Sequence, residues 1–173
     1  SAQARMLEDT PMGHQQAQDA LQRALLLDED NAVAASAYAE NLVLWKGGLL
    51  TEEELALVDG ATRFAAAAKP DDPHALRGRA AYALATADLN AARTAAEKVL
   101  ALAPKDGLAR LYMASSFLEG NPPLAAREAE SAVASQPALR RSDRVLARAF
   151  ANAGRYGSAM KVLDRRLGNE PGS

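Results

Sequence analysis

The sequence predicts an all-α fold of stacked antiparallel helix pairs, and three observations lead to this prediction. The first is a set of prolines spaced 34, 33 and 34 residues apart, namely Pro70, Pro104, Pro137 and Pro171. Such a period is typical of helical repeat proteins. The second is composition, because about a quarter of the 173 residues are alanine and only 5% are aromatic. Small side chains favour closely packed helices. The third is that helix-capping residues divide each interval into two helices.

Six helices are predicted from residue 73 onward. The first four begin at side chains that cap helix N-termini well, namely Asp72, Asp88, Asp106 and Asn121. Prolines follow directly after the first and the last of these caps, where the first turn of a helix tolerates them. The expected ranges are about 73–86, 88–102, 106–119, 121–135, 142–154 and 156–167.

Three longer helices are predicted upstream. They begin at Thr10, Asn31 and Thr51 and run to about Leu27, Lys46 and Ala68. Thr51 stands three residues before Glu54, which is the spacing of a capping box. Residues 2–9 are too short for a full helix. We therefore expect the apolar face of the neighbouring helix to be open, or to be joined by another chain or segment.

The connection around Gly47–Glu53 is about seven residues longer than the corresponding turns further on. We expect it to be ordered, because Trp45, Leu49 and Leu50 favour burial. The alternative is that Trp45 is exposed and anchors a partner. Gly60 lies inside a helix at a cost of about 1 kcal/mol relative to alanine, so we expect it to permit the close approach of a neighbouring helix.

The repeated intervals have similar sequences. Small or apolar residues and a final proline recur in each; in residues 73–106 they are Leu76, Ala80, Ala92, Ala96, Val99 and Pro104, and in residues 107–139 they are Ala114, Phe117, Ala125, Ala129, Ala132 and Pro137. This pattern resembles the tetratricopeptide repeat, a 34-residue helix-turn-helix unit. The resemblance implies a right-handed α-solenoid. It divides the single repeat domain 1–173 into a partial repeat over 1–29 and repeats over about 30–72, 73–106, 107–139 and 140–173.

The resemblance also implies a concave groove lined by the first helix of each repeat. The residues expected to contact a partner there are Arg77, Leu108, Leu111, Tyr112, Ser115, Arg141, Arg144, Arg148 and Asn152. Three of the arginines lie at i, i+3 and i+7, on one helical face, and guanidinium groups suit a carboxylate or phosphate. The alternative is a solvated helix face whose arginines pair with Asp143 or Glu119.

No catalytic or metal-binding motif is present in the sequence. The two histidines, His14 and His74, are far apart and do not form an HExxH pair, and the chain has no cysteine. Motifs for nucleotide phosphates and for a hydrolase serine are also absent. We therefore expect no enzymatic activity, no cofactor and no metal.

Charge is divided unevenly along the chain. Its formal net charge is −2, but residues 1–72 carry 5 basic and 13 acidic side chains, whereas residues 73–173 carry 15 and 9. The acidic half opposes a nucleic-acid-binding repeat, which would need a basic groove throughout. No apolar run reaches the roughly 20 residues that a membrane span requires. The opposite charges of the two halves could instead drive head-to-tail contact between copies.

These observations predict a non-enzymatic protein-interaction module. It would bind a partner segment of acidic character in the groove, as part of a larger scaffold or assembly protein. The alternative is a structural scaffold that self-assembles into dimers or larger oligomers through its repeat ends. High alanine and a preference for arginine over lysine are typical of GC-rich bacterial genomes. We expect a segment of a larger bacterial protein, and the sequence does not distinguish cytoplasm from periplasm.

Overall fold

A computed structural model describes residues 1–168, and all regular secondary structure in this range is helical. The all-α prediction is confirmed. Pro171, on which the end of the last repeat was placed, lies outside the described residues. The described elements are α1 (Ala2–Leu7), α2 (Pro11–Leu27), α3 (Ala32–Lys46), a 3-10 turn (Gly47–Leu49), α4 (Glu52–Ala68), α5 (Pro73–Ala85), α6 (Leu89–Leu102), α7 (Gly107–Phe117), α8 (Pro122–Ser135), α9 (Arg141–Asn152) and α10 (Tyr156–Gly168).

Helices α1 to α8 begin at capping side chains, whereas the residue before α9, Arg140, makes no side-chain cap hydrogen bond. Asn31, Asp88 and Asn121 each accept a hydrogen bond from the backbone N–H three residues on. Thr51 and Glu54 form the reciprocal capping box that their spacing predicts. Helix starts were therefore encoded locally, and they fix where each connection between helices lies.

The helices pack as sequential antiparallel pairs in two layers. The first helices of successive pairs, α3, α5, α7 and α9, contact one another and form the inner layer. The second helices, α4, α6 and α8, each pack between the first helix of their own pair and that of the next, and α10 packs against α9. This stacking buries the apolar face of each pair against its neighbour, as in a helical solenoid.

Small residues stand where inner and outer helices meet. Ala80, Ala114 and Ala92 have no exposed surface, and a larger side chain at any of them would have to displace a neighbouring helix. The approach of α5 to α3 depends on Gly78. A Cβ atom built there would lie 2.2 Å from Ser36 Oγ, so only glycine fits without a shift.

The N-terminal segment differs from expectation. Residues 2–7 form the six-residue helix α1, which packs against α2, and Met6 is only 3% exposed. Its side chain belongs to the same apolar cluster as Leu111 and Leu139. The expected open face is therefore partly covered by the chain's own first residues, which a repeat-length argument could not detect.

Two further expectations, for Gly60 and for Leu49, are wrong. A Cβ atom at Gly60 would meet no atom within 4 Å, so Gly60 permits no close approach. Leu49 is 84% exposed in the 3-10 turn, so its expected burial is wrong, whereas Leu50 is partly buried against the core. Trp45 is half-buried.

Candidate partner-binding groove

All four inner helices contribute to one cleft of about 620 Å³. The apolar residues lining it are Val43, Leu44 and Trp45 from α3, Leu84 and Ala85 from α5, Leu89 from α6, Leu111 and Leu118 on and after α7, and Val145 from α9. Polar and charged residues line the rest: Lys46, Tyr112, Ser115, Arg141, Arg144 and Arg148. We call this cleft the groove. It combines apolar surface with cations that lie mostly on α9.

The three arginines of α9 differ in exposure and in partner. The side chain of Arg148 is 63% exposed and donates to Glu119 Oε1 at 2.8 Å. Arg144 is 51% exposed and Arg141 is 25% exposed, and both donate to the carboxylate of Asp9. Arg141 also donates to the backbone carbonyl of Leu44. The last inner helix is thus tied both to the first inner helix and to the N-terminal segment.

Asp9 is the acidic centre of this contact. It lies in the turn between α1 and α2 at φ +51°, and its side chain is only 3% exposed. His14 Nε2 lies 3.3 Å from Asp9 Oδ1, and His14 Nδ1 lies 2.8 Å from Asn41 Oδ1. Burial opposes ionisation of Asp9, but the His14 hydrogen bond and the charges of Arg141 and Arg144 outweigh it and hold the pKa of Asp9 below its ordinary value.

Arg141 and Arg144 on α9 have the same anionic partner among residues 1–168. Two guanidinium groups share the single carboxylate of Asp9. Burial and the neighbouring charges of Arg141 and Arg166 lower the pKa of Arg144, while Asp9 raises it. Asp143, which the sequence offered as a partner for these arginines, pairs with Arg165 on α10 instead.

A second ionic network lies beneath the groove. Glu40, which is fully buried, accepts hydrogen bonds from Arg77 Nε at 3.0 Å and Nη2 at 3.1 Å, and from the Tyr112 hydroxyl at 2.7 Å. Arg77 Nη1 donates to Asp106 at 2.8 Å, and its Nη2 lies 2.9 Å from His74 Nδ1. This network joins α3, α5 and α7.

Its pKa shifts follow from burial and charge. Burial disfavours a charged Arg77, but Glu40 and Asp106 outweigh that effect and raise its pKa above the ordinary value. Burial, then the charge of Glu40, raise the pKa of Tyr112 well above its ordinary value. Arg77 is thus a permanent cation and Tyr112 a neutral donor, as a structural network requires.

The residues predicted for the groove therefore separate into two sets. Six of them line it together: Leu111, Tyr112, Ser115, Arg141, Arg144 and Arg148. Arg77 and Leu108 are 4% and 1% exposed and lie within the packed interior. Asn152 lies beyond the groove lining and donates to the backbone carbonyl of Leu118 at 2.9 Å.

Sequence reasoning missed the contribution of α3 and of Asp9. The run Leu42–Trp45 was noted for its tryptophan, but the loose fit of residues 30–72 to the repeat gave no register from which to place it. Asp9 lies 132 residues from Arg141, in the part of the partial repeat over 1–29 where the first helix is too short to give a register, and no sequence signal joined the two.

Two features are absent from residues 1–168. No three His, Cys, Asp or Glu side chains there are grouped so that they could hold a metal ion. Within the same range no helix combines the length and the apolar character needed to cross a membrane.

Comparison with known proteins supports the fold. No protein-family model and no curated protein sequence matches the chain. Two solved structures of MamA, a tetratricopeptide-repeat protein, are similar in fold. One has a TM-score of 0.59 and covers 89% of this chain and 81% of its own; the other has a TM-score of 0.58 and covers 90% and 87%. Both are 15% identical in sequence. At this identity the similarity shows the fold alone, and it confirms the resemblance to tetratricopeptide repeats at that level.

Proposed function

We propose that the chain is a non-enzymatic protein-interaction module that binds a partner segment in the groove. The observation that carries this proposal is the convergence of four inner helices on one cleft with apolar lining and three arginines at one side. A tetratricopeptide-like fold is itself typical of interaction scaffolds. We further propose that the module serves within a larger scaffold or assembly protein.

Apolar side chains of the partner would supply most of the affinity. Trp45 and Val145 offer partly exposed apolar surface on two different inner helices, and an aromatic side chain at the edge of a cleft is a frequent anchor point. The groove is built on packed helices and needs little ordering when it binds, so less of the interaction free energy is lost to conformational entropy.

Acidic character in the partner would supply orientation. Among residues 1–168 Arg148 pairs with Glu119, whose side chain is 73% exposed, and such exposed pairs contribute little to stability. A carboxylate of the partner could replace Glu119 at small cost. Arg144 lies one turn away on the same face and shares the carboxylate of Asp9 with Arg141. Both groups therefore favour a partner with Asp or Glu at this end of the segment.

Selection from a displayed peptide library would test the proposal. We expect selected peptides to combine Asp or Glu with apolar residues, and Arg144→Ala with Arg148→Ala to weaken their binding more than tenfold, by loss of charged hydrogen bonds of about 1.5–3 kcal/mol each. The loss should shrink at high salt. Arg23→Ala with Arg127→Ala removes the same charge from exposed positions on α2 and α8 and serves as the control.

Two outcomes would contradict the proposal. The first is selected peptides that bind the Arg144/Arg148 double variant and the control equally well. The second is peptides without acidic residues whose binding does not respond to salt. Far-ultraviolet circular dichroism and thermal unfolding of both variants would exclude a loss of binding caused by misfolding.

Self-assembly is a second candidate function, and exposed apolar residues at both ends of the solenoid favour it. Met12, Leu26 and Leu27 on α2 are 69%, 81% and 90% exposed. At the other end, a cleft of about 390 Å³ includes Tyr156 and Met160, which are 69% and 56% exposed. Two apolar end faces suit head-to-tail stacking of copies.

Light scattering coupled to size exclusion would test self-assembly. Leu27→Glu and Met160→Glu should each lower the measured mass of any oligomer, whereas Leu49→Glu changes an equally exposed leucine away from both ends. A constant monomer mass over a hundredfold range of concentration would eliminate this candidate.

A further inference from the structure

The N-terminal segment is seated against the same arginines that line the groove. Asp9 Oδ1 accepts hydrogen bonds from Arg141 Nε at 3.1 Å and Nη2 at 3.0 Å, and Asp9 Oδ2 accepts one from Arg144. The backbone N–H of Arg140 also donates to the carbonyl of Leu7 at 3.4 Å. We call residues 2–9 the clasp. The clasp therefore contacts α9, the last inner helix.

The clasp makes the kinds of contact that a bound peptide ligand would make. The carboxylate of Asp9 is 3% exposed and accepts charge-assisted hydrogen bonds from two guanidinium groups, which are stronger than hydrogen bonds between neutral groups. Met6, three residues earlier, is 3% exposed within an apolar cluster that includes Leu21 of α2 and Leu42 of α3. Met6, the Asp9 carboxylate and the Leu7 carbonyl thus hold the clasp against the apolar cluster and against α9 and the residue before it.

We propose that the clasp is an internal ligand for the arginine pair Arg141–Arg144, and that partner segments with an apolar residue three positions before a carboxylate compete with it. This inference rests on the proposed binding function of the groove and names the chemistry of its partner. Binding of such a segment displaces Asp9 and releases the clasp. A tethered competitor acts at high effective concentration, so it weakens the apparent affinity for every partner that uses the pair.

The clasp can leave without unravelling α2. Thr10 Oγ1 accepts a hydrogen bond from the backbone N–H of Gly13, so α2 carries its own N-cap. A six-residue helix is unstable alone in water, and α1 therefore depends on the surface it contacts. Its contact with α2 in turn needs Gly13, because a Cβ atom there would lie 2.7 Å from the carbonyl oxygen of Arg5.

Two substitutions in the full chain release the clasp by different routes. Asp9→Asn removes the charge that the arginines bind and keeps the size of the side chain. Gly13→Ala places a Cβ atom 2.7 Å from the carbonyl oxygen of Arg5 and 2.9 Å from Thr10 Oγ1, so it forces α1 away from α2 without removing any charged group from the chain. Asp19→Asn, an exposed position on α2, is the matched control for the loss of one carboxylate.

The probe is a fluorescein-labelled peptide with the sequence of residues 1–10, added to each protein and followed by fluorescence anisotropy. We expect it to bind the Asp9→Asn and Gly13→Ala proteins at least tenfold more tightly than the native chain and the Asp19→Asn control. A labelled peptide in which Asn replaces Asp9 should not show this tighter binding to the two variant proteins. Equal affinity for all four proteins would overturn the inference.

A measurement on the native chain keeps the test independent of the variants' folding. Saturation with the peptide should speed amide hydrogen exchange in residues 2–7, because the clasp is displaced. Unchanged exchange at saturation would also overturn the inference. In that case, library-selected peptides whose binding still depends on Arg148 would leave the proposed function intact. Peptides whose binding depends on neither Arg144 nor Arg148 would refute the proposed function itself.

Discussion

Glu40→Ala is expected to destabilise the chain more than any change at the groove surface. Glu40 is fully buried and accepts hydrogen bonds from Arg77 and Tyr112. Its removal leaves a buried guanidinium with only Asp106 as an anionic partner, and leaves the Tyr112 hydroxyl without its acceptor. Loss of one partner from a buried ion pair costs about 3–5 kcal/mol.

The contact between Asp106 and Arg77 lowers this estimate of the free-energy cost. Asp106 is 12% exposed and still binds Arg77 at 2.8 Å, so the guanidinium keeps part of its compensation and the cost should lie near the lower limit, about 3 kcal/mol. For a chain of this length that corresponds to a fall in melting temperature of roughly 6–12 °C. Binding of acidic peptides in the groove should change much less than stability does.

Urea unfolding followed by circular dichroism measures the effect, and a double-mutant cycle assigns it. Tyr112→Phe alone should cost about 1.5–3 kcal/mol, the value of a hydrogen bond to a charged group. In the Glu40→Ala background the same change should cost close to nothing, because its acceptor is already gone. A Glu40→Ala protein with the urea midpoint of the parent would refute the structural role assigned to this network.

Three further predictions concern packing and charge. Ala114→Leu should overpack the contact between α7 and α8 and cost about 1–3 kcal/mol in urea unfolding; an unchanged midpoint would contradict it. Gly60→Ala should stabilise the chain by about 0.4–1 kcal/mol, because the site is helical and open; a lower melting temperature would oppose this. The lowered pKa of Asp9 means that its contribution is present above its ordinary pKa and is lost as the pH falls through the folded value. The native chain should therefore lose more stability than Asp9→Asn on acidification from about pH 5 to pH 2, and parallel losses would contradict that cause.

The helices could be predicted closely because their signals are local. Thr51 and Glu54 specify a helix start by hydrogen bonds within four residues, and α4 begins at Glu52 as that spacing requires. The pairing of helices followed from a second sequence feature, because small residues such as Ala80 and Ala114 recur once in each repeat. Neither inference needed contacts between distant parts of the chain.

The site could be predicted only in part. A repeat register shows on which face of a helix a side chain lies, but it does not show how deeply that side chain is buried. Arg77 and Arg144 both fall on the inner face of their helices. The first is 4% exposed, since Glu40 and Asp106 enclose it, whereas the side chain of the second is 51% exposed at the end of the array. Glu40 itself lay in the repeat that fits the pattern most loosely, so no position in the sequence marked it as a buried acid.

The division of charge along the chain has a physical consequence within one molecule. The acidic first 72 residues include Asp9, the basic remainder includes Arg141 and Arg144, and these three side chains meet across the inner layer. Opposite charge that could have joined two copies thus joins the two ends of a single copy. Because Arg141 also binds the carbonyl of Leu44, each contact that holds α9 toward α3 limits how far the groove can widen. A partner that takes the arginines from Asp9 would both gain a carboxylate site and loosen this restraint, so we expect binding strength and groove width to be coupled through the same two guanidinium groups.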